Sequence, residues 1–564
     1  MGWPYHIVHL SPDEKQARRV LLGQYGLYSQ LSVLVPILGF WGYRLGRWVY
    51  QRATRQAKGK YRSVTDTSES GPQPASLLKR WRLFRWWLGD EVAPGWGIRV
   101  HWVVGSIWVM WALFLCVHRT GQDYVHLTKR FGIIPVAQLP THFMLAVKSP
   151  FNPLTLIFNT SHEELLPWHR ISGRLIFTCL LLHVSLYLNY FIQSEILWER
   201  LTSTRIILGV VAFTLLLALI STSLDIVRHR SYRVFTITHS VAATVIPFFL
   251  FFHARPMRWY IIETLFISAF SRITQLDTIT AHATVSHIPR TSLVQVQIPI
   301  PTSKIQRFRA APGQHVFLSI HPQTVQKIQS SLAMSLFMRN PFSVADVSEN
   351  NEITLVARVQ DGFTSRALDA LAASAEKPSL LTLFGPLGCA RRFPNLAVEY
   401  DRVLLVAGGV GATFVLPIYR QLRGQFEAEG KGPDRVSFVW SMKAIDEAAW
   451  VMDLGDGQSL AHDENIKLHL TRSYQMQATE PSTDDSIEMQ ELQPLRRPGW
   501  KSMQPGRPDF GKIVDDLFRG REPDERVAIL FCGPAGMGRE LRAHVGAWVS
   551  KGRIVWWHAE TFGW

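Results

Sequence analysis

Cysteine is scarce in this chain. Cys116, Cys179, Cys389 and Cys532 are the only four in 564 residues. They are scattered and fit no metal-ligand spacing, and two fall in apolar runs, so no disulfide framework is implied. Acidic residues are also short. The 44 Asp and Glu against 60 Lys and Arg leave a net charge of +16. A nucleic-acid binder would spread such an excess over a soluble face. Here many basic residues cluster beside apolar runs, which points to membrane topology and to no nucleic-acid partner. The first 25 residues are polar and mixed, so no cleavable signal peptide is expected. Nothing in the chain looks like an acid–base or nucleophilic site.

Apolar sequence is abundant, but unevenly placed. Up to about residue 272 long apolar runs recur; beyond that, short strand-like runs alternate with polar loops. Seven membrane spans are expected, at about 27–45, 98–118, 132–148, 169–190, 204–222, 235–253 and 258–272. The third and seventh are short. The segment after the first span carries Arg44, Arg47, Arg52, Arg55, Lys58, Lys60 and Arg62, and the loop after the fifth carries Arg228, Arg230 and Arg233. The positive-inside rule makes both cytosolic. The N-terminus is then outside, and everything after about Arg272 is inside. The lipid bilayer is the first partner implied.

Two of these runs carry matched histidines. His169 and His183 lie in one, His239 and His253 in another, and thirteen residues separate each pair. Fourteen helical steps raise the second ring roughly 21 Å above the first. They also return it to nearly the same face. One span lies between the two helices, so they run parallel. His169 therefore shares a level with His239, and His183 with His253. Two flat ligands, each clamped by one His from each helix, are expected, and bis-imidazole ligation of haem iron suits that geometry. Arg170, Arg174 and Arg233 lie near the first level and are candidates for the haem carboxylates. Gly173 would let a macrocycle approach the backbone. His101, His118, His126 and His142 lack the paired pattern and read as ordinary histidines.

From about residue 280 the period changes. Runs such as TSLVQVQIPIP, GQHVFLSI, PFSVADV, NEITLVARV and SLLTLFGPLG predict a small antiparallel barrel. An apolar strand then meets Gly408-Gly409-Val410-Gly411 and a helix, the context of a phosphate-cradling turn. Further strands at RVSFVWSMK, NIKLHLTR, RVAILFCGPAG and GRIVWWHAE predict an α/β domain with a parallel sheet. A Ser-, Glu-, Gln- and Pro-rich stretch near 473–510 reads as a disordered insertion.

With these pieces in place, the chain resembles the fungal ferric reductases, transmembrane flavocytochromes of the ferric reductase and NADPH oxidase superfamily. The resemblance covers roughly residues 125–564. It implies a multi-domain membrane protein: an α-helical transmembrane haem-binding bundle followed by a ferredoxin-reductase-like module, itself an antiparallel β-barrel FAD domain and an α/β nucleotide-binding domain. The domains would be 1–125 (two transmembrane helices and a basic cytosolic loop), 126–275 (haem domain), 280–395 (FAD barrel) and 400–564 (NADPH domain). By resemblance, Pro341, Phe342 and Ser343 form the flavin motif, with Asn340 where the family has His. Phe342 packs on the flavin ring. Arg358, Gly362 and Thr364 serve its pyrophosphate, and Gly385-Pro386-Leu387-Gly388 matches a further element, with Leu387 in place of Tyr. Gly408, Gly409 and Gly411 match the nicotinamide nucleotide's pyrophosphate turn, and Cys532, Gly533 and Pro534 lie beside the nicotinamide. Ser441, Lys443 and Arg472 are candidates for the 2′-phosphate of NADPH. Phe562 and Trp564 match an aromatic ending in which the terminal ring stacks on the flavin.

The implied activity is an NADPH-dependent ferric-chelate reductase. Electrons pass from cytosolic NADPH through FAD (near Phe342 and Trp564) and two b-type haems (His169 and His239, then His183 and His253). They leave to ferric chelates or siderophores, or cupric ion, outside the plasma membrane. Arg255 and Arg258 could attract such anions. Family analogy adds an iron permease or multicopper oxidase as partner. Two other readings stay open here: a superoxide-generating NADPH oxidase, and a non-catalytic haem membrane protein or sensor.

Overall fold

The computed structural model describes residues 4–60, 74–327, 339–360, 362–374, 378–472, 500–522 and 524–560. The chain divides into two compact units, Met1–Leu276 and Asp277–Trp564.

The described part of the first unit is helical: α1 (Pro12–Leu31), α2 (Leu34–Lys60), α3 (Pro74–Leu88), α4 (Arg99–Val117), α5 (Tyr124–Ala137), α6 (Leu139–Leu145), α7 (Pro153–Ile157), α8 (His162–Gln193), α9 (Leu197–Leu201), α10 (Thr204–Thr222), α11 (Asp225–Arg230), α12 (Tyr232–His253) and α13 (Arg258–Thr274). Local chemistry sets the main boundaries. α8 starts at a capping box, where Ser161 and Glu164 satisfy each other's backbone N–H, so two of the donors at its start are paired. α1 starts the same way on Ser11 and Glu14, with Pro12 at its first position. Tyr25, Ala112, Leu115 and Cys116 share one apolar cluster with Leu127, Ile134, Cys179, Leu250 and Ile261.

Five described stretches are long and apolar enough to cross a membrane: Pro12–Val49, Arg99–Val117, His162–Gln193, Thr204–Thr222 and Tyr232–His253. The expected spans 132–148 and 258–272 are not among them. The first is broken: α5 ends at Ala137 and α6 starts at Leu139, with Pro140 in its opening turn. The 14 residues of α5 reach only about 21 Å, short of a bilayer core of about 30 Å. Nearly every side chain of α5 is buried, so it is an interior helix. The seventh is α13, whose 17 residues reach about 26 Å. With or without α13, one span stands between the two histidine helices.

In the second unit six strands close a barrel: β1 (Thr278–His287), β2 (Leu293–Pro299), β3 (His315–Ile320), β4 (Asn340–Val347), β5 (Glu352–Arg358) and β6 (Ser379–Leu387), in the order β1-β2-β5-β4-β3-β6. Every pairing is antiparallel. Val294, Val296, Ile298, Leu318, Ile353 and Leu383 fill its interior. β1 was not foreseen, because its Thr- and His-rich sequence carries a weak alternating signal.

A parallel sheet follows: β7 (Arg402–Gly408), β8 (Val436–Met442), β9 (Ile466–Leu470), β10 (Met503–Pro505), β11 (Arg526–Cys532) and β12 (Ile554–Glu560), in the order β10-β9-β8-β7-β11-β12. The chain builds outward from β7 on one side, then returns to the other at β11. Parallel sheets bind ligands beyond the carboxyl ends of strands where the order reverses, here between β7 and β11. Barrel residues Ile288, Leu293, Ala345 and Val356 belong to the same apolar cluster as the sheet's Leu405, Trp440 and Leu530. The expected insertion 473–510 is corrected at its end. Residues 473–499 lie outside the described residues, but Trp500 is buried and β10 pairs with β9. The Trp500 indole meets Trp440 edge-on at 6.3 Å, which anchors a segment whose composition alone reads as solvated.

Candidate functional site

In the first unit His169 and His239 come together. The rings of His169 and His239 stand 6.2 Å apart between centroids. His183 has His253 as an electrostatic neighbour. A metal about 2 Å from each of two facing ring nitrogens separates the ring centres by about 6 Å. The first level therefore fits a shared iron.

The second ring nitrogen of each histidine is equally informative. His183 Nδ1 donates to the Thr128 carbonyl at 2.8 Å, and His253 Nδ1 to the Arg205 carbonyl at 2.7 Å. His169 Nδ1 donates to the His142 carbonyl at 3.1 Å. His239 Nδ1 lies 3.4 Å from Ser223 Oγ, whose own proton goes to the Leu219 carbonyl at 2.7 Å. A carbonyl only accepts, so the proton sits on Nδ1 and Nε2 keeps its lone pair. That is how metal-ligating histidines are oriented. Four such arrangements are hard to assign to ordinary core packing.

Two glycines make the second level possible. A Cβ on Gly132 would lie 2.7 Å from His183 Cε1, and one on Gly209 would lie 2.5 Å from His253 Cε1. Each glycine sits four residues after the carbonyl that holds the same ring: Thr128 and Gly132 on α5, Arg205 and Gly209 on α10. One helical turn thus supplies both an acceptor and a gap for the imidazole. This device repeats on two helices and was not read from the sequence. The available signal was a glycine inside an apolar helix.

Other expectations fare differently. Gly173 faces His142: a Cβ there would lie 3.2 Å from His142 Cε1, a tight contact. His142 stacks on His169 at 4.1 Å and hydrogen-bonds Ser172 Oγ at 2.5 Å. It is part of the level and not an ordinary histidine. Arg170, Arg174 and Arg233 are exposed. Arg258 is engaged, with Nε donating to the Phe251 carbonyl at 3.1 Å and the guanidinium over the Phe251 ring; Arg255 is exposed. Arg130 was missed. It is fully buried, lies over the Tyr25 ring at 3.4 Å, and donates to His126 and to the Leu115 carbonyl. A buried cation beside the helix that holds His183 favours an added electron nearby.

The second unit gathers the nucleotide candidates. β4 carries Asn340, Pro341, Phe342 and Ser343, and β3 sets His315 opposite Ser343. Arg358 ends β5 and forms a 3.0 Å ion pair with Glu447. Its guanidinium also lies 3.3 Å from where a Cβ on Gly409 would be, so it serves the glycine turn as well as the barrel. Gly362 caps the helix Phe363–Ala373. Thr364, in the first turn, is fully buried, and its Oγ1 has no hydrogen-bond partner. A buried orphan hydroxyl at a helix N-terminus suits an anionic oxygen, so these residues fit a diphosphate.

Gly408, Gly409 and Gly411 turn from β7 into the helix Ala412–Ala428, with Gly409 at φ +55°. A Cβ on Gly408 would lie 2.6 Å from Pro534 Cδ, and one on Gly533 would lie 2.9 Å from Gly408 N. The turn and the Cys532-Gly533-Pro534 segment therefore pack backbone to backbone at the switch point. Burial, with the Glu560 carboxylate adding to it, pushes the Cys532 thiol well above its ordinary range. Those surroundings favour its neutral thiol form. Ser441 pairs with Gly408 at the end of β8, while Lys443 and Arg472 are exposed and joined by a backbone bond of 3.2 Å. Phe562 and Trp564 lie outside the described residues.

Trp440 was also missed. Its indole Nε1 donates to the Gly409 carbonyl at 2.9 Å and pins the turn from below. Losing one such bond costs about 1 kcal/mol, or about fivefold. Trp440→Phe should raise the KM for nicotinamide nucleotide by about that factor with little change in kcat. Steady-state kinetics with a soluble dye as acceptor would check it; an unchanged KM means the turn does not depend on the indole.

Three family models match the chain in succession: a ferric reductase like transmembrane component over residues 131–250, an FAD-binding domain over 279–401, and a ferric reductase NAD binding domain over 400–546. The chain is similar to the probable metalloreductase AIM14 of Meyerozyma guilliermondii, 22% identical over 455 residues, covering 77% of this chain and 84% of that protein. It is similar to the protein of the same name from Scheffersomyces stipitis, 22% identical over 526 residues, covering 86% and 90%. The ferric/cupric reductase transmembrane component 2 of Saccharomyces cerevisiae is 24% identical over 385 residues, covering 66% of this chain and 50% of that protein.

Proposed function

The chain belongs to the ferric reductase family, and from that premise we propose that it carries electrons from NADPH through FAD and two b-type haems to ferric iron. The acceptors are ferric chelates or siderophores, with cupric ion as a second substrate. When bound, FAD would accept one hydride, that is two electrons, and pass them on singly to haem iron. The chain's own residues do the rest. Nε2 of His169 and His239 hold one iron, and Nε2 of His183 and His253 hold the other. The Thr128, His142 and Arg205 carbonyls and the Ser223 hydroxyl fix the rings in the binding tautomer. This shared Nδ1 donation is the observation that carries the reading.

Gly362 and Thr364 receive the flavin diphosphate, and Phe342 supplies an apolar wall. Gly408, Gly409 and Gly411 receive the nicotinamide nucleotide. The preference for NADPH is supported by Ser441, Lys443 and Arg472 at neighbouring strand ends, where a 2′-phosphate meets two cations and a hydroxyl. An odd number of crossings, which the five candidate spans among the described residues support, would put the two ends of the first unit on opposite faces. We place the second unit in the cytosol and the protein in the plasma membrane, with the acceptor side at His183 and His253.

The test is ferrous production driven by NADPH, with and without superoxide dismutase. Direct metal reduction survives the dismutase. Iron reduction that disappears with it means that dioxygen is the acceptor and the enzyme is an oxidase. The ligand assignment has its own measurement. His183→Ala should leave one haem per flavin by pyridine haemochrome assay; two haems per flavin would sink the pairing.

A further inference from the structure

A cluster of metal-ligating residue types lies in the second unit. Cys389 follows Gly388 in the turn after β6, while His558 and Glu560 point the same way from β12, two residues apart. Their ligand atoms converge. Cys389 Sγ donates to Glu560 Oε1 at 2.8 Å and lies 3.6 Å from His558 Nε2, and His558 Nε2 lies 3.1 Å from the same Glu560 oxygen. Among the described residues this is the one group of three His, Cys, Asp or Glu ligand atoms within 4.8 Å of one another.

The spacing matches a tetrahedral zinc site. With Zn–S near 2.3 Å and Zn–N or Zn–O near 2.0–2.1 Å, adjacent ligand atoms stand about 3.6 Å apart for S···N and about 3.3 Å for N···O. The two observed distances are within a few tenths of an ångström of these. The short Sγ···Oε1 distance is that of a shared proton. Replacing that proton by a metal requires the two atoms to part by less than about 1 Å.

The surroundings favour a held ligand set. Phe393 packs on His558 at 4.6 Å, and Trp556 stacks on it at 5.9 Å, so the imidazole has little rotamer freedom to lose. Cys389 is buried, whereas the His558 and Glu560 side chains keep 14% and 20% exposure. Three protein ligands with one accessible side leave room for a water as the fourth. Glu560 also sits in register with Cys532 across β11 and β12, so the cluster adjoins the switch-point crevice.

We propose that Cys389, His558 and Glu560 bind a zinc ion. The experiment uses the full-length protein in detergent, loaded with one equivalent of zinc and dialysed. Zinc content and zinc K-edge absorption are then measured, the latter being blind to haem iron. The expected result is one zinc per chain with one sulfur neighbour near 2.3 Å. Cys389→Ser should remove the sulfur shell, and His558→Gln should lower zinc affinity at least tenfold by competition with a chromophoric chelator. The second variant keeps the test decisive if the first fails to fold. Zinc bound without a sulfur neighbour, or equally tightly by both variants, overturns the assignment, as does the absence of stoichiometric zinc in the wild type.

Discussion

Gly209→Ala should empty the His183–His253 level while leaving flavin and the other haem in place. The added methyl would lie 2.5 Å from His253 Cε1 and 2.6 Å from Nδ1, well inside van der Waals contact. The ring sits within a packed helix pair, α10 and α12, and is held by the Arg205 carbonyl one turn before the glycine. It cannot swing aside without giving up that bond. The loss removes both the tautomer control and the aim of Nε2. Removing an outer partner of a ligating histidine typically costs about 10- to 100-fold in metal affinity, and here the ring itself is also displaced. Haem per flavin should fall from two toward one. Gly132→Ala should do the same through His183. Gly39→Ala is the control: nothing lies within 4 Å of its Cβ position, so haem content should not change. Two haems retained in Gly209→Ala would mean that the ring has freedom which the packing denies it.

Gly411→Ala carries the second large effect, in the other unit. A Cβ there would overlap the Cys532 carbonyl oxygen and lie 2.8 Å from its carbon. The obstacle is backbone, in the strand paired with β7 from Arg402 to Ala407. Relief requires parting β7 from β11 at the switch point. Overpacking usually costs about 1–3 kcal/mol when side chains can adjust; with backbone against backbone the cost should reach the top of that range or exceed it. At about 1.4 kcal/mol per tenfold, nicotinamide-driven flavin reduction should drop by more than a hundredfold. Haem reduced directly by dithionite should keep its spectrum. Gly424→Ala, farther along the same helix with nothing within 4 Å of its Cβ position, should be neutral or stabilise by up to about 1 kcal/mol. Stopped-flow reduction of the flavin separates these outcomes. A Gly411→Ala protein that is reduced at the wild-type rate would show that the two turns do not need to touch.

Much of this site was legible because it depends on periodicity and local turn chemistry. The fourteen-residue spacing of the histidines and the single span between their helices determine which rings share a level, and the 6.2 Å approach of His169 and His239 follows that register. The strand, glycine turn and helix at 402–428 follow from residue type alone. The misreadings share a cause. α5 looks like a span because its residues are apolar, but it is buried by protein and not by lipid. The end of the 473–510 stretch looks solvated, but Trp500 finds Trp440. Gly173 looked like room for a ligand and is room for His142.

The sequence by itself determined the two-unit plan, the paired histidine levels, the barrel and the parallel sheet, because each rests on patterns that repeat over a few residues. Only the tertiary structure decided which carbonyl holds which imidazole, that Gly132 and Gly209 open space for His183 and His253, that Trp440 pins the glycine turn, and that Cys389 meets His558 and Glu560. Those contacts join residues tens to more than a hundred positions apart. No local pattern encodes such distances; the packing of whole helices and strands sets them.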